Sequence, residues 1–117
     1  MNELIETILE GFTVDGVEIP VAYMVYHGHG EPYVVYMGVF SDNVLRGDDR
    51  LIGYAKHYDF DVYAKGNFDE IVEQLIQKLE DNDFVFKPER SSVDMYEADT
   101  GYYHRTLNFR FLREESE

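Results

Sequence analysis

The stretch Asn67-Phe68-Asp69-Glu70-Ile71-Val72-Glu73-Gln74-Leu75-Ile76-Gln77-Lys78-Leu79-Glu80-Asp81-Asn82 decides the fold class. Phe68, Ile71, Val72, Leu75, Ile76 and Leu79 recur three and four residues apart, which is one stripe of an amphipathic helix. Asn67 stands at the N-cap position with Glu70 three places on, so side chains can accept the first free N–H groups. Asp69, Glu70 and Glu73 crowd the positive end of the helix dipole, Lys78 lies near the negative end, and Asn82 suits the left-handed stop. Burying each large apolar side chain contributes about 1.5–3 kcal/mol, more than intrinsic propensity supplies to so short a helix. The helix therefore needs a sheet to lie on.

Strand-like sequence flanks it on both sides. Before it, Tyr58, Phe60, Val62 and Ala64 alternate with His57, Asp59, Asp61 and Tyr63. Further upstream, Tyr33 to Phe40 is rich in Tyr and Val, and Ile19 to Val25 alternates. Pro20 has no N–H for a ladder, so that strand either starts at a sheet edge or pairs there on one side only, and its connection to Tyr33 is of hairpin length. Met1, Leu4, Ile5, Ile8, Leu9 and Phe12 form a first short helix closed by Gly11, and Asp15-Gly16 marks a turn. After the central helix, one strand begins at Phe84-Val85-Phe86, kinks near Pro88 and resumes from Ser92 to Glu97. Ala98-Asp99-Thr100-Gly101 then turns the chain into a last strand carrying Tyr103, Leu107, Phe109 and Phe111 on one face. Ser41 to Tyr54, broken by Asp42, Asn43, Gly47, Asp48, Asp49 and Gly53, reads as a long irregular segment. The expected architecture is α+β: two helices on one face of a mainly antiparallel five-stranded sheet, in the order α-β-β-β-α-β-β. Residues 1–113 form one domain in this reading, and 114–117 an acidic disordered tail.

At 117 residues the chain can bury roughly two-thirds of its extended surface without staples. It has no cysteine, which excludes disulfides and thiolate metal sites. No apolar run reaches bilayer-spanning length and no basic leader precedes the first helix, so a soluble, unexported protein is expected. The formal charge is −14, and seven acids precede the first cation, Arg46. Such a surface disfavours a phosphate backbone, so tight nucleic-acid binding is not expected. Solubility and active repulsion of DNA are both consistent with it.

Chemistry-bearing patterns are sparse. His27 and His29, with Glu31 or His57, lack the ligand number of a zinc site, and Asp42, Asp48 and Asp49 lack EF-hand spacing. Asp59 and Asp61 share a strand face but have no identifiable acid–base partner. Ser91 and Ser92 match no nucleophile motif, and the glycine loops match no phosphate-binding signature. Neither catalytic residue, metal ligand nor cofactor is expected. Val44, Leu45, Leu51 and Ile52, beside Arg46 and Arg50, are a candidate self-association surface, the arginines being suited to acids of a neighbouring subunit. The alternative is that these four apolar residues fold back on the sheet.

At Tyr96-Glu97-Ala98-Asp99-Thr100-Gly101-Tyr102-Tyr103-His104-Arg105-Thr106, followed by Phe109 and Phe111, the chain resembles small tail components of long-tailed phages and prophages of Gram-positive bacteria. Tyr33-Val34-Val35-Tyr36, the strand Tyr58 to Lys65 with Gly66, and the central helix extend the similarity over most of the chain. Within that group, size and element order are similar to tail terminator, or tail-to-head joining, proteins. The resemblance implies a non-enzymatic ring-former, usually a hexamer in the virion and here a monomer in isolation. Its partners would be the tail-tube protein and the head connector. It would act in the host cytoplasm during assembly and afterwards in the virion tail. Tyr96, Asp99, Thr100, Gly101, Tyr102, Tyr103 and His104 carry the motif, which also reads as a hairpin turn with packed tyrosines. The competing class is an acidic DNA mimic that blocks a nucleic-acid-binding protein.

Overall fold

The computed structural model describes residues 2–26, 28, 32–45, 51–66, 68–99 and 101–114, with side chains described at these positions except 2, 40–45, 51–54 and 112–114. The elements are helix α1 (Asn2–Leu9), strands β1 (Thr13–Val14), β2 (Val17–Glu18), β3 (Val21–Tyr23), β4 (Tyr33–Leu45) and β5 (Leu51–Ala64), helix α2 (Phe68–Glu80), and strands β6 (Val85–Phe86), β7 (Met95–Glu97) and β8 (Tyr102–Glu114). A 3-10 turn, Pro88–Arg90, separates β6 from β7.

The helices form as their stripes require. In α2, Phe68, Ile71, Val72, Leu75 and Leu79 are buried and Ile76 packs partly buried beside them. In α1, Ile5, Ile8 and Leu9 are buried, whereas Leu4, included in the expected stripe, is exposed. Gly11 closes α1 at φ 67, the left-handed conformation that glycine adopts without a Cβ penalty. The stop of α2 differs from expectation: Asp83, not Asn82, takes positive φ, while Asn82 Nδ2 donates to the Lys78 carbonyl at 2.8 Å. Asn67, read as the N-cap, lies outside the described residues. Both helices pack on one sheet face, where Val34, Tyr36, Phe60, Val62, Leu107 and Phe109 complete the core.

The sheet corrects the expected fold. It has six strands of mixed direction, ordered β3-β4-β5-β8-β6 with β7 also on β8, and β1-β2 form a separate hairpin. The count rises from five because Pro88 breaks the post-helix strand in two, so β6 and β7 pair with different parts of β8. Between them Ser91 and Ser92 bridge the gap, their hydroxyls accepting the Asn108 and Thr106 N–H groups at 2.9 Å. The mixed direction arises at β3, which pairs parallel to β4, Val21 with Val34 and Tyr23 with Tyr36. No hairpin joins them. Met24 turns at φ 65, with the Val25 N–H on the Tyr23 carbonyl at 2.7 Å, and the chain returns to start β4 level with β3. Antiparallel β5 occupies the other side of β4, so the free side accepts β3 in the direction set by the preceding hairpin. Asp15 and Gly16 turn that hairpin at φ 51 and 79, as a two-residue Asp-Gly loop should.

The irregular segment is also corrected. β4 continues to Leu45 and β5 begins at Leu51, paired from Ser41 with Lys56 to Leu45 with Leu51 and shifted at two irregularities. One shift, between Gly38 and Phe40, leaves Val39 without a ladder partner, the signature of a bulge. β8 runs beside β5 as far as Gly53 with Glu114, so cross-strand pairing overrides the turn-forming composition. No described helix is long and apolar enough to cross a membrane.

Candidate functional site

The sheet face turned away from the helices carries the polar side chains that sequence reading singled out. Strand alternation puts His57, Asp59, Asp61 and Tyr63 of β5 on it, and the register adds Thr106, Asn108 and His104 of β8 and Tyr33 of β4. Across its upper end runs a row of rings. Tyr26 stacks on Tyr33 at 4.5 Å between centroids, Tyr33 on Tyr63 at 4.7 Å and Tyr63 on His104 at 4.2 Å, with interplanar angles of 21°, 18° and 10°. Tyr33, Tyr63 and His104 meet because they are directly cross-strand. Tyr102 adds an edge contact to Tyr33 at 6.2 Å.

Below the rings lie two polar clusters. Asp61 Oδ1 accepts from the Thr106 hydroxyl at 2.5 Å and lies 3.5 Å from His104 Nε2, while Glu97 lies 3.9 Å from His104 Nδ1. Asp59 accepts from Asn108 Nδ2 at 2.8 Å, and Asn108 Oδ1 faces His57 Nδ1 at 3.1 Å. An amide oxygen only accepts, so His57 donates through Nδ1. His57 and Asn108 are each only 2% exposed, and this pairing is what makes their burial tolerable.

The geometry holds strands together more readily than it reacts. Thr106 and His104 both address the same oxygen of Asp61, so the imidazole does not lie between hydroxyl and acid as nucleophile activation requires. The Tyr33 and Tyr63 phenols are shifted away from neutral pH. Burial, and then Asp61, pushes the Tyr63 hydroxyl up to about 12, and burial followed by Tyr102 and Glu97 raises that of Tyr33. Asp59 and Asp61, read as a possible carboxylate pair, are each engaged by a different partner on β8.

The resemblance motif is the β7–β8 hairpin. Tyr96 pairs with Tyr103 across it, their rings 5.0 Å apart, and Gly101 turns it at φ 76 with its N–H on the Glu97 carbonyl at 2.7 Å. Asp99 is exposed in the turn, and Thr100 lies outside the described residues. Tyr102 and His104 face the ring row, whereas Tyr103 faces the helix side against Phe68 at 5.7 Å. The candidate self-association residues are elsewhere: Val44 pairs with Gly53, Leu45 with Leu51, and Ile52 is in β5 beside them. Arg46 and Arg50 lie outside the described residues. The hairpin motif pairs near Ala64 and this group near Gly53, so roughly 36 Å of strand separates them. The structure does not bring the two sets together.

A second feature was not anticipated. An open groove of about 670 Å³ between α1 and the start of β3 is lined by Glu3, Glu6, Glu10 and Glu18 with Ile19 and Val21. The i, i+3 and i+4 spacing of the α1 glutamates could have revealed it, but Glu18 joins them only through the β1–β2 hairpin. Among the described residues no cluster of three or more His, Cys, Asp or Glu could hold a metal ion. His27, His29, Glu31, Asp48 and Asp49 lie outside them. No protein-family model and no curated protein matches this chain.

Proposed function

We propose that this chain is a structural, ring-forming component of a long-tailed phage or prophage, of the tail terminator kind, that caps the tail tube and joins it to the head connector. It would assemble in the bacterial host cytoplasm and remain in the virion tail. The observation that carries this reading is the open sheet: helices cover one face, and among the described residues β3 and β6–β7 end it on opposite sides with one strand neighbour each. Such a sheet offers surfaces for neighbouring subunits rather than a closed catalytic cleft. The motif that resembles tail components supplies one of those ends. The surplus of carboxylates, −14 overall, suits a ring through which DNA must pass without sticking. Sedimentation velocity and negative-stain imaging over a concentration series, with and without purified tail tubes, test this. Closed rings, or rings seated on tube ends, are expected; a chain that neither associates nor binds tubes would refute it.

The acid-lined groove favours a second reading, a DNA mimic. It predicts tight binding to a DNA-binding protein that duplex DNA displaces and that Glu6→Gln with Glu10→Gln weakens. Competition titrations distinguish it from ring formation.

A further inference from the structure

We propose that Tyr96 and Tyr103 form an oxidative cross-linking site, where a one-electron oxidant of the haem-peroxidase class joins β7 to β8 through a dityrosine bond. This site does not depend on the ring-forming reading. The chain has ten tyrosines and neither cysteine nor tryptophan, so no thiol or indole competes for such an oxidant. Single-electron oxidation therefore falls first on tyrosine.

Several tyrosine pairs are close among the described side chains, and geometry separates them. Tyr26, Tyr33 and Tyr63 stack nearly parallel, at 21° and 18°, which sets ring over ring and keeps their edges from the contact that a bond between rings needs. Tyr102 stands edge-on to Tyr33, but at 6.2 Å and with both rings partly buried. Tyr23 and Tyr36 are tilted at 54° with centroids 5.4 Å apart, yet Tyr36 is 1% exposed and closed to an enzyme. Tyr96 and Tyr103 are tilted at 53° with centroids 5.0 Å apart, and they are 59% and 42% exposed. They face each other directly across the β7–β8 hairpin, where opposed Cβ atoms lie about 4.5–5.5 Å apart and the side chains share one face. Phe68, 5.7 Å from Tyr103, helps to hold that ring in place. Exposure, tilt and register coincide at this pair.

The chemistry balances. Each phenol gives one electron to the peroxidase and its hydroxyl proton to solvent, leaving a tyrosyl radical with spin on the ring carbons beside the one that bears oxygen. The two radicals couple through one such Cε of each ring, and the hydrogen on each coupled carbon moves to its oxygen, restoring two phenols. Two electrons and two protons leave the chain and reduce one hydrogen peroxide to two waters. β7 is three residues long, all of them exposed, and among the described residues it pairs with β8 alone, so little burial holds it. Such edge strands fray, and the new bond keeps β7 on β8 when its ladder opens.

The test treats the dilute chain with a haem peroxidase and hydrogen peroxide, and follows dityrosine fluorescence, mobility on a denaturing gel and peptide mass. The product should migrate as a monomer. Its tryptic peptide 91–105, which holds both tyrosines, should lose the mass of two hydrogen atoms, and cutting it after Glu97 should leave the halves joined. Tyr96→Phe or Tyr103→Phe, each conservative at an exposed position, should abolish this product, whereas Tyr33→Phe should leave it intact. Peroxide without the peroxidase should only add oxygen to methionine. Dityrosine joining Tyr33 to Tyr63, or Tyr23 to Tyr36, overturns the assignment. So do linked dimers in place of the intrachain bond, or an undiminished product in the Tyr96→Phe chain. Methionine oxidation by the complete system without any dityrosine overturns it as well.

Discussion

Leu75→Ala is the most direct test of the packing on which the fold rests. Leu75 sits at the middle of α2, fully buried, within the cluster that α2 forms with α1 and the helix-side residues of β4, β5 and β8. Truncation removes three carbons and leaves a void, for which Leu→Ala changes cost about 2–5 kcal/mol. α2 touches α1, β1, β5 and β6, so the surroundings have little room to collapse, and the upper part of that range, about 3–4 kcal/mol, is expected. With an unfolding entropy of about 2.1 cal/mol/K per residue, 1 kcal/mol corresponds to about 4 °C in a chain of this length. The midpoint should therefore fall by about 12–16 °C in a thermal melt monitored by circular dichroism. The urea midpoint should drop in proportion with the slope unchanged. Exposed Glu73, two residues away, is the control: Glu73→Ala should stay within about 0.5 kcal/mol. Equal effects of the two substitutions would mean that the buried face of α2 is misassigned.

Other substitutions probe the polar groups and the backbone. Among the described residues the Tyr36 hydroxyl is buried without a hydrogen-bond partner, so Tyr36→Phe should raise stability by about 1 kcal/mol in a urea titration; a loss would reveal a partner. Burial, aided by Glu6 for Tyr36 and by Asp61 for Tyr63, pushes both hydroxyls up to about 12. The folded state then keeps protons that the unfolded chain releases near 10, so this stabilisation is complete below pH 10 and is lost between pH 10 and 12. Tyrosinate absorbance should show these two residues ionising late, and uniform ionisation near pH 10 in a still-folded chain would contradict this. Thr106→Val and Asp61→Asn should each cost about 1–3 kcal/mol and together less than their sum, because they share one 2.5 Å contact; strict additivity would show that the contact is not made. Gly101→Ala should cost about 1–2 kcal/mol through its φ of 76 alone, since the nearest atom to a new Cβ, Lys65 Cε at 3.8 Å, is at ordinary contact distance. A neutral result there would mean that the hairpin turn takes another conformation.

Much of the site was visible in the chain only as disconnected residues. Alternation in β5 revealed that His57, Asp59, Asp61 and Tyr63 share a face, because a strand turns side chains over with period two. It could not reveal Asn108 as the partner of His57, 51 residues away, or the Thr106 hydroxyl on Asp61, because register is a property of two strands. His104 lies 3.5 Å from Asp61 and 4.2 Å from the Tyr63 ring, contacts that likewise depend on the pairing of β8 with β5. The acidic groove stayed hidden for the same reason: Glu18 joins the α1 glutamates through the β1–β2 hairpin.

By itself the sequence determined both helices, the buried stripe of α2, the Asp15-Gly16 turn and the inner face of β5. Each follows from spacing or backbone chemistry within about a dozen residues. Tertiary structure alone decided the parallel pairing of β3 with β4, the division of the post-helix strand onto two parts of β8, and the continuation of β4 and β5 through Ser41–Leu45 and Leu51–Tyr54. Direction and pairing partner depend on which strand edge remains free once the β4–β5 hairpin has formed. Local propensity carries no record of that choice, so Asp42, Asn43 and Gly53 read as loop residues until β8 and the facing strand supplied their ladders.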